Sequence, residues 1–383
     1  WAPTHQEHAW FAWLKDVAEY LDLFSKLRVV QHLEKDIDKA AVVKLCAHTQ
    51  DLLTACLECR TRGGYPLVVT AEELSGICFG LGELVRTSTH SELRALQVNL
   101  PVIHNLMKAF YDRRNHVCCN LTVLANFQTG LRLLSKYSAI VRDNLVGTEL
   151  SKDWLEGITS CVCEWSTKQQ VRMLNDDVQE KQMNLYTIMR TIADFGGCWQ
   201  CVTFIKDVFL PGSHPQNVTH PESLMFMLST CKAVLRKDGK QSHGLDPKSL
   251  PSFNAVAIKT HTSVMESMQK LLMQIVHHTW PYLQNFAPYQ ITDLLLILGS
   301  LKSLPPTFFL DVLKVAAQQL RTQVLGELDV VRPLLDFAEK SSDASLSVKQ
   351  SWTTDEVASL LFYAGHYGQE VCDIGRWGVY STA

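Results

Sequence analysis

Two cysteine pairs carry the spacing of metal or redox chemistry: Cys56-Leu57-Glu58-Cys59 and Cys198-Trp199-Gln200-Cys201. Two such pairs meeting at one point hold zinc in a tetrahedron, and a single pair opening a helix after a strand can shuttle a disulfide. Neither context is written here. The pairs lie far apart in the chain. The Cys198 pair follows Gly196-Gly197 at an expected helix end, which would leave it open to oxidation. The main reading of both pairs is structural. Of twelve cysteines, Cys46, Cys78, Cys163 and Cys231 fall on apolar helical stripes, where a free thiol behaves as a small hydrophobe. That usage points to a reducing compartment. His261, His277 and His278 read as helix-surface or interface residues. No HExxH, GxxxxGK, GxSxG or GxGxxG motif occurs. The sequence names no catalytic residue, no metal ligand and no cofactor.

Cations offer a second kind of chemistry. Arg60 and Arg62 end one expected helix, Arg113 and Arg114 end another, and Arg236, Lys237 and Lys240 fill an expected loop. Cations at helix C-termini complement the helix dipole. If the helices stack in register, the same side chains form a spaced row for phosphates, with Phe110 and Tyr111 as stacking surfaces for unpaired bases. Charged residues make up 20% of the chain and the net charge is -3, so overall basicity is absent. RNA contact by a few residues is compatible with that balance, and charge-driven DNA binding is not.

These residues must be positioned by helices. Leu74, Ile77, Cys78 and Leu81 occupy offsets 0, 3, 4 and 7, with Gly82 next. Ile291, Leu294, Leu295, Leu298 and Gly299 repeat the spacing, as do Val357, Leu360, Leu361, Ala364 and Gly365. The offsets draw one stripe on a helix, and the small residue admits a neighbouring backbone. Looser copies begin at Leu155, Leu185 and Leu224. Across the starts at Leu155, Leu185, Leu224, Ile291 and Val357, the last two gaps read as doubled units of about 33 residues, the length of one helix pair. Thr70 with Glu73 and Thr353 with Glu356 are capping-box pairs ahead of two of these helices. Second helices are expected on Leu100, Ile103, Met107 and Phe110, and on Leu310, Leu313, Ala317 and Leu320, the latter after Pro305-Pro306. Further helices cover an N-terminal aromatic stripe through Trp10, Trp13 and Phe24, and residues 40–59 ahead of Gly63-Gly64. Strand signals are nearly absent. The expected fold is all-α, an α-solenoid of antiparallel helix pairs.

Pro211–Pro221 and Ser341–Ser351 read as loops, and Arg236–Pro251 as a hinge loop. The chain therefore divides into helical-repeat segments 1–235 and 252–383 about a hinge at 236–251. No apolar run is long enough for a membrane span.

The helices Val357–Gly365 and Ile291–Gly299, with their Leu-Leu pairs, following aromatic or Leu, and closing Ala or Gly, resemble the first helix of organellar heptatricopeptide and octotricopeptide repeats, related to the FAST-kinase-like proteins. The resemblance implies an α-solenoid in mitochondria or plastids that binds or processes RNA. More narrowly, it is similar to helical subunits of kinetoplastid mitochondrial RNA-editing assemblies. It implies the mitochondrial matrix, with the cytoplasm as alternative, and partnership with RNA and with other subunits of a multiprotein complex. The competing expectation is a protein-only scaffold of the HEAT or armadillo sort.

Overall fold

The computed structural model describes residues 16, 39–58, 69–87, 98–114, 120–168, 178–244, 255–298, 308, 311–323, 353–360 and 362. Every regular element among the described residues is helical. The aromatic stripe through Trp10, Trp13 and Phe24, Gly63-Gly64, Gly299, Pro305-Pro306, Ser341–Ser351 and Gly365 lie outside them. Two compact units divide the chain: Trp1–His214 with Ala233–Met268, and Pro215–Lys232 with Gln269–Ala383. Two of the divisions, at Lys232/Ala233 and Met268/Gln269, fall within helices, and the one at His214/Pro215 falls in the segment that the sequence reads as a loop.

The first unit contains α1 (Lys39–Glu58), α2 (Ala71–Thr87), α3 (Leu100–Asp112), α4 (Leu121–Tyr137), the short α5 (Ala139–Leu145), α6 (Glu149–Lys168) and α7 (Val178–Phe195). A further helix, α8 (202–212), includes a π-helical turn at Ile205–Phe209. α2 begins where its sequence signals a start. The Thr70 amide donates to Glu73 Oε2 at 2.7 Å and the Glu73 amide to Thr70 Oγ1 at 3.2 Å, a reciprocal capping box. Asn120 caps α4 by accepting from the Val123 amide at 3.2 Å. Leu74, Ile77, Cys78 and Leu81 are buried, as their stripe requires.

Hydrogen bonds between helices give the stacking directly. Arg113, at the end of α3, donates to the Val69 carbonyl just ahead of α2, so these helices are antiparallel. Ser75 Oγ donates to the Val123 carbonyl at 2.8 Å and Cys78 Sγ to the Phe127 carbonyl at 3.4 Å, so α2 and α4 run parallel in one layer. Thr122 Oγ1 donates to Glu180 Oε1, and Arg132 meets Asp194 at 3.2 Å, which adds α7 to that layer in the same direction. In the other layer, Trp154 Nε1 donates to the Met107 carbonyl at 3.1 Å and Cys161 Sγ to the Arg114 carbonyl at 3.7 Å, which sets α6 parallel to α3. This is the helix-pair stacking of an α-solenoid.

The repeat is longer than the spacing of stripes suggests. Successive equivalent contacts in the first unit span 47 to 49 residues. The step from α4 to α7 spans 58 to 62. The stripes at Leu155 and Leu185, whose interval is close to the shorter unit, belong to different layers, on α6 and α7. Their interval is a step within the stack from one layer to the other.

Two glycines set the α2–α4 spacing. A Cβ on Gly82 would lie 2.8 Å from the Gly130 carbonyl oxygen, and a Cβ on Gly130 would overlap the Cys78 carbonyl. The close approach expected at Gly82 is present, and its counterpart is Gly130. Between the layers, Phe110 and Phe127 stack with ring centroids 3.8 Å apart, and Trp154 lies 5.8 Å from Phe127.

Two helices are each shared between the units, α9 (Pro221–Gly244), divided after Lys232, and α10 (Ala255–Thr279), divided after Met268. The expected hinge at 236–251 is therefore helical through Gly244, and 245–251 lie outside the described residues. The expected loop at Pro211–Pro221 holds the end of α8 and a 3₁₀ turn at Pro215–Asn217. In the second unit, a 3₁₀ turn at Trp280–Asn285 leads to α11 (Pro288–Leu298), and α12 covers 311–323. Ile291, Leu294, Leu295 and Leu298 are buried on α11. On α12 the buried residues are Val312, Val315 and Ala316, while Ala317 is exposed. The expected stripe through Leu313, Ala317 and Leu320 is thus rotated by one residue, because Gln319 turns inward to donate to the Phe286 carbonyl at 2.8 Å. The capping box of Thr353 and Glu356 is formed, and Leu360 is buried.

Candidate functional site

The sequence directs attention first to the end of α3. Arg113 donates to the Val69 carbonyl and, at 2.5 Å, to the Ala109 carbonyl. Its amide also closes the helix on the Phe110 carbonyl at 3.1 Å. Burial pulls its guanidinium below its ordinary pKa, against the opposing pull of Asp112 and Glu73. Arg114 donates to the Tyr111 carbonyl at 3.2 Å and lies over the Tyr111 ring at 4.4 Å. Tyr111 in turn fills the space above Gly157 of α6. Both arginines thus serve the helix terminus and its packing on α2 and α6. Phe110, expected as a base-stacking surface, is fully buried in the aromatic stack, because its ring continues the apolar stripe of α3.

Replacing Arg113 by alanine leaves two main-chain carbonyls without their donor. We expect a loss of about 1–3 kcal/mol in denaturant unfolding, from charge-assisted hydrogen bonds. An Arg113→Ala chain with the wild-type midpoint would mean that the guanidinium is not held in this way.

Arg60 and Arg62 lie outside the described residues. Arg236 is exposed on α9. Lys237 and Lys240 follow on the same helix, and their side chains lie outside the described part. The structure therefore places three expected loop cations on a helix.

The Cys198 pair is buried, with each thiol side chain about 1% exposed. This differs from the exposed, oxidisable position its glycines suggest. Gly196 has φ of 79° and turns the chain at the end of α7, folding the pair inward against α6, where the Thr159 hydroxyl donates to Cys201 Sγ at 3.5 Å. Burial pushes the Cys201 thiol up to about 12 and the Cys46 thiol up to about 11, and burial with nearby Asp207 pushes Cys163 up to about 11. Cys78 is raised further by burial alone among its raising causes. A thiol raised this far is a poor nucleophile at neutral pH. We expect these four thiols to label slowly with a disulfide reagent at pH 8 and promptly in denaturant. Rapid labelling of native protein at Cys201 would contradict the burial. The linkage has a sign. A raised folded pKa stabilises fully below the ordinary thiol value near 9 and is lost as pH rises through about 11 to 12.

Among the described residues, no group of three or more histidine, cysteine or acidic side chains is arranged to hold a metal ion. No helix among them is long and apolar enough to cross a membrane. No protein-family model, curated protein or solved structure matches this chain.

Sequence reasoning missed one concave feature. A cleft of about 560 Å³ opens between α8 and α10, lined by Lys206, Leu210, Lys259, Thr260, Ser263, Val264 and Ser267. The π turn shows Lys206 and Asp207 outward while burying Ile205, Val208 and Phe209. One turn of α10 carries Lys259, Thr260 and Ser263 along the opposite wall. Trp199 and His261 stack with centroids 3.5 Å apart and planes within 5°, which ties α10 to the turn before α8. The only signal in the sequence is a polar helical run, Lys259 to Ser267, that any solvated helix face would also show.

Proposed function

We propose that this chain is a non-catalytic helical-repeat scaffold that holds other protein subunits and makes no direct RNA contact. The observation that carries this reading is the contrast between neighbouring helix ends. At the end of α3, both expected phosphate contacts are committed to carbonyls and an aromatic ring. On α5 and in the first turn of α6, Ile140 and Leu150 are 55% and 50% exposed. Apolar side chains on a rigid helical edge suit protein contact, and stacked repeats present such edges over a long surface. Tyr289 and Leu296 on α11 add exposed apolar area in the second unit. The resemblance of the Ile291 and Val357 helices to organellar repeats supports a ribonucleoprotein of the mitochondrial matrix as the setting, with the cytoplasm as the alternative.

A second reading, direct RNA contact, draws on Arg236, which is exposed on α9 one helical turn before Lys240. Titration of a labelled single-stranded RNA with the purified chain separates the two. The scaffold reading expects no saturable binding at low micromolar protein in physiological salt. Saturable binding that weakens steeply with salt, and disappears in an Arg236→Ala/Lys237→Ala/Lys240→Ala chain, would replace it.

A further inference from the structure

The cleft between α8 and α10 carries chemistry that protein docking leaves unused. We propose that it binds a small phosphate-bearing organic molecule, with the phosphate between Lys206 and Lys259 and the body of the molecule against Leu210 and Val264. The volume, about 560 Å³, falls within the range of about 300–1,000 Å³ typical of small-molecule sites. It is a ligand-sized recess whose lining residues, on α8 and on the part of α10 before Gln269, all belong to the first unit.

The lining sorts by chemistry. Two ammonium groups come from different elements, Lys206 from the π turn of α8 and Lys259 from α10. Lysine is a point charge with three rotatable donors, well suited to phosphate. Asp207 stands beside Lys206, its oxygen 3.9 Å from Lys206 Nζ, with both side chains about half exposed or more. An exposed pair at that distance is weak and leaves the ammonium available. No described carboxylate forms an ion pair with Lys259. Thr260 and Ser263 add hydroxyls to the α10 wall, with Ser263 one turn beyond Lys259. The Ser267 hydroxyl donates to the Ser263 carbonyl at 2.9 Å, so it faces a ligand as an acceptor. Leu210 and buried Val264 supply the apolar surface for a sugar or ring.

The π turn is an independent pointer. A π-helical turn is rare and costs regular hydrogen bonding, and such turns occur frequently at functional sites. Here it sets Lys206 and Leu210 together on the cleft wall. Two features keep the walls in register: the Trp199–His261 stack, and the seat of Gly212 on α7, where a Cβ would lie 2.7 Å from Leu185 Cδ1.

The test is calorimetric titration of the full chain with adenosine monophosphate, ribose 5-phosphate and glycerol 3-phosphate, beside adenosine and inorganic phosphate. At least one organic monophosphate should bind saturably, more tightly than inorganic phosphate, while adenosine does not. A Lys206→Ala/Lys259→Ala chain, checked for unchanged circular dichroism, should bind that ligand at least about tenfold more weakly. A Lys206→Arg/Lys259→Arg chain should retain most of the affinity. The proposal is overturned if no monophosphate binds, or if the double alanine chain binds as well as wild type. It is also overturned if a phosphoserine peptide or a single-stranded RNA binds through the same lysines in preference to every small monophosphate. None of these outcomes depends on whether the chain is a protein scaffold.

Discussion

Gly130→Ala should destabilise the chain by about 3 kcal/mol, far beyond the usual cost of a glycine-to-alanine change in a helix, which favours alanine by propensity. The added Cβ would overlap the Cys78 carbonyl group and lie 2.6 Å from the Phe79 amide nitrogen. These are main-chain atoms of α2 and cannot swing aside, so α2 and α4 must separate. Separation also loosens the hydrogen bonds from Ser75 to Val123 and from Cys78 to Phe127. Gly147→Ala is the matched control. Gly147 has φ of 76° but nothing within 4 Å of a Cβ, so it should cost only the backbone strain, about 1–2 kcal/mol. Urea midpoints at constant m-value report both. A Gly130→Ala chain less perturbed than Gly147→Ala would show that the two helices do not cross through glycine.

Leu295→Asp should cost about 3–5 kcal/mol, because it places an unpaired carboxylate at a site with no solvent exposure. Ile291, Leu294 and Leu298 surround it on the same buried face of α11. The adjacent Leu296→Asp change is the control. Leu296 is 47% exposed, so its substitution should stay within about 0.5 kcal/mol of wild type. One residue of displacement on the helix separates a disruptive charge from a tolerated one. Equal effects at the two positions would mean that the stripe of α11 does not face the core.

Much of the fold is legible in local chemistry. The capping boxes at Thr70 and Thr353 form as written, and the stripes at Leu74 and Ile291 are buried. Such features depend on residues within one turn of each other. The repeat length was not legible in the same way, because a stripe does not state which layer its helix joins. Leu155 and Leu185 carry the same pattern on helices of opposite layers. Gly130 carried no signal of its own, since its need for a bare Cα is imposed by α2, about 48 residues away in sequence. The rotation of α12 follows from a distant carbonyl, that of Phe286, which draws Gln319 inward.

The candidate site was less legible, for a related reason. A cation at a helix end looks the same in sequence whether it meets a phosphate or a main-chain carbonyl. Arg113 is committed by Val69, which stands before a different helix. The CxxC spacing of Cys198 and Cys201 was visible, but its burial depends on the turn at Gly196 and the approach of Thr159. The cleft on α8 and α10 joins a π turn to a polar run far along the chain, and neither half signals the other.

The most direct test of the scaffold reading is purification of the full chain from the cells that make it, after ultraviolet crosslinking, with and without ribonuclease. The account predicts the same stoichiometric protein partners in both preparations and no RNA-crosslinked peptide from this chain. Partners that depart with ribonuclease, together with crosslinked peptides spanning Arg236–Lys240, would contradict it.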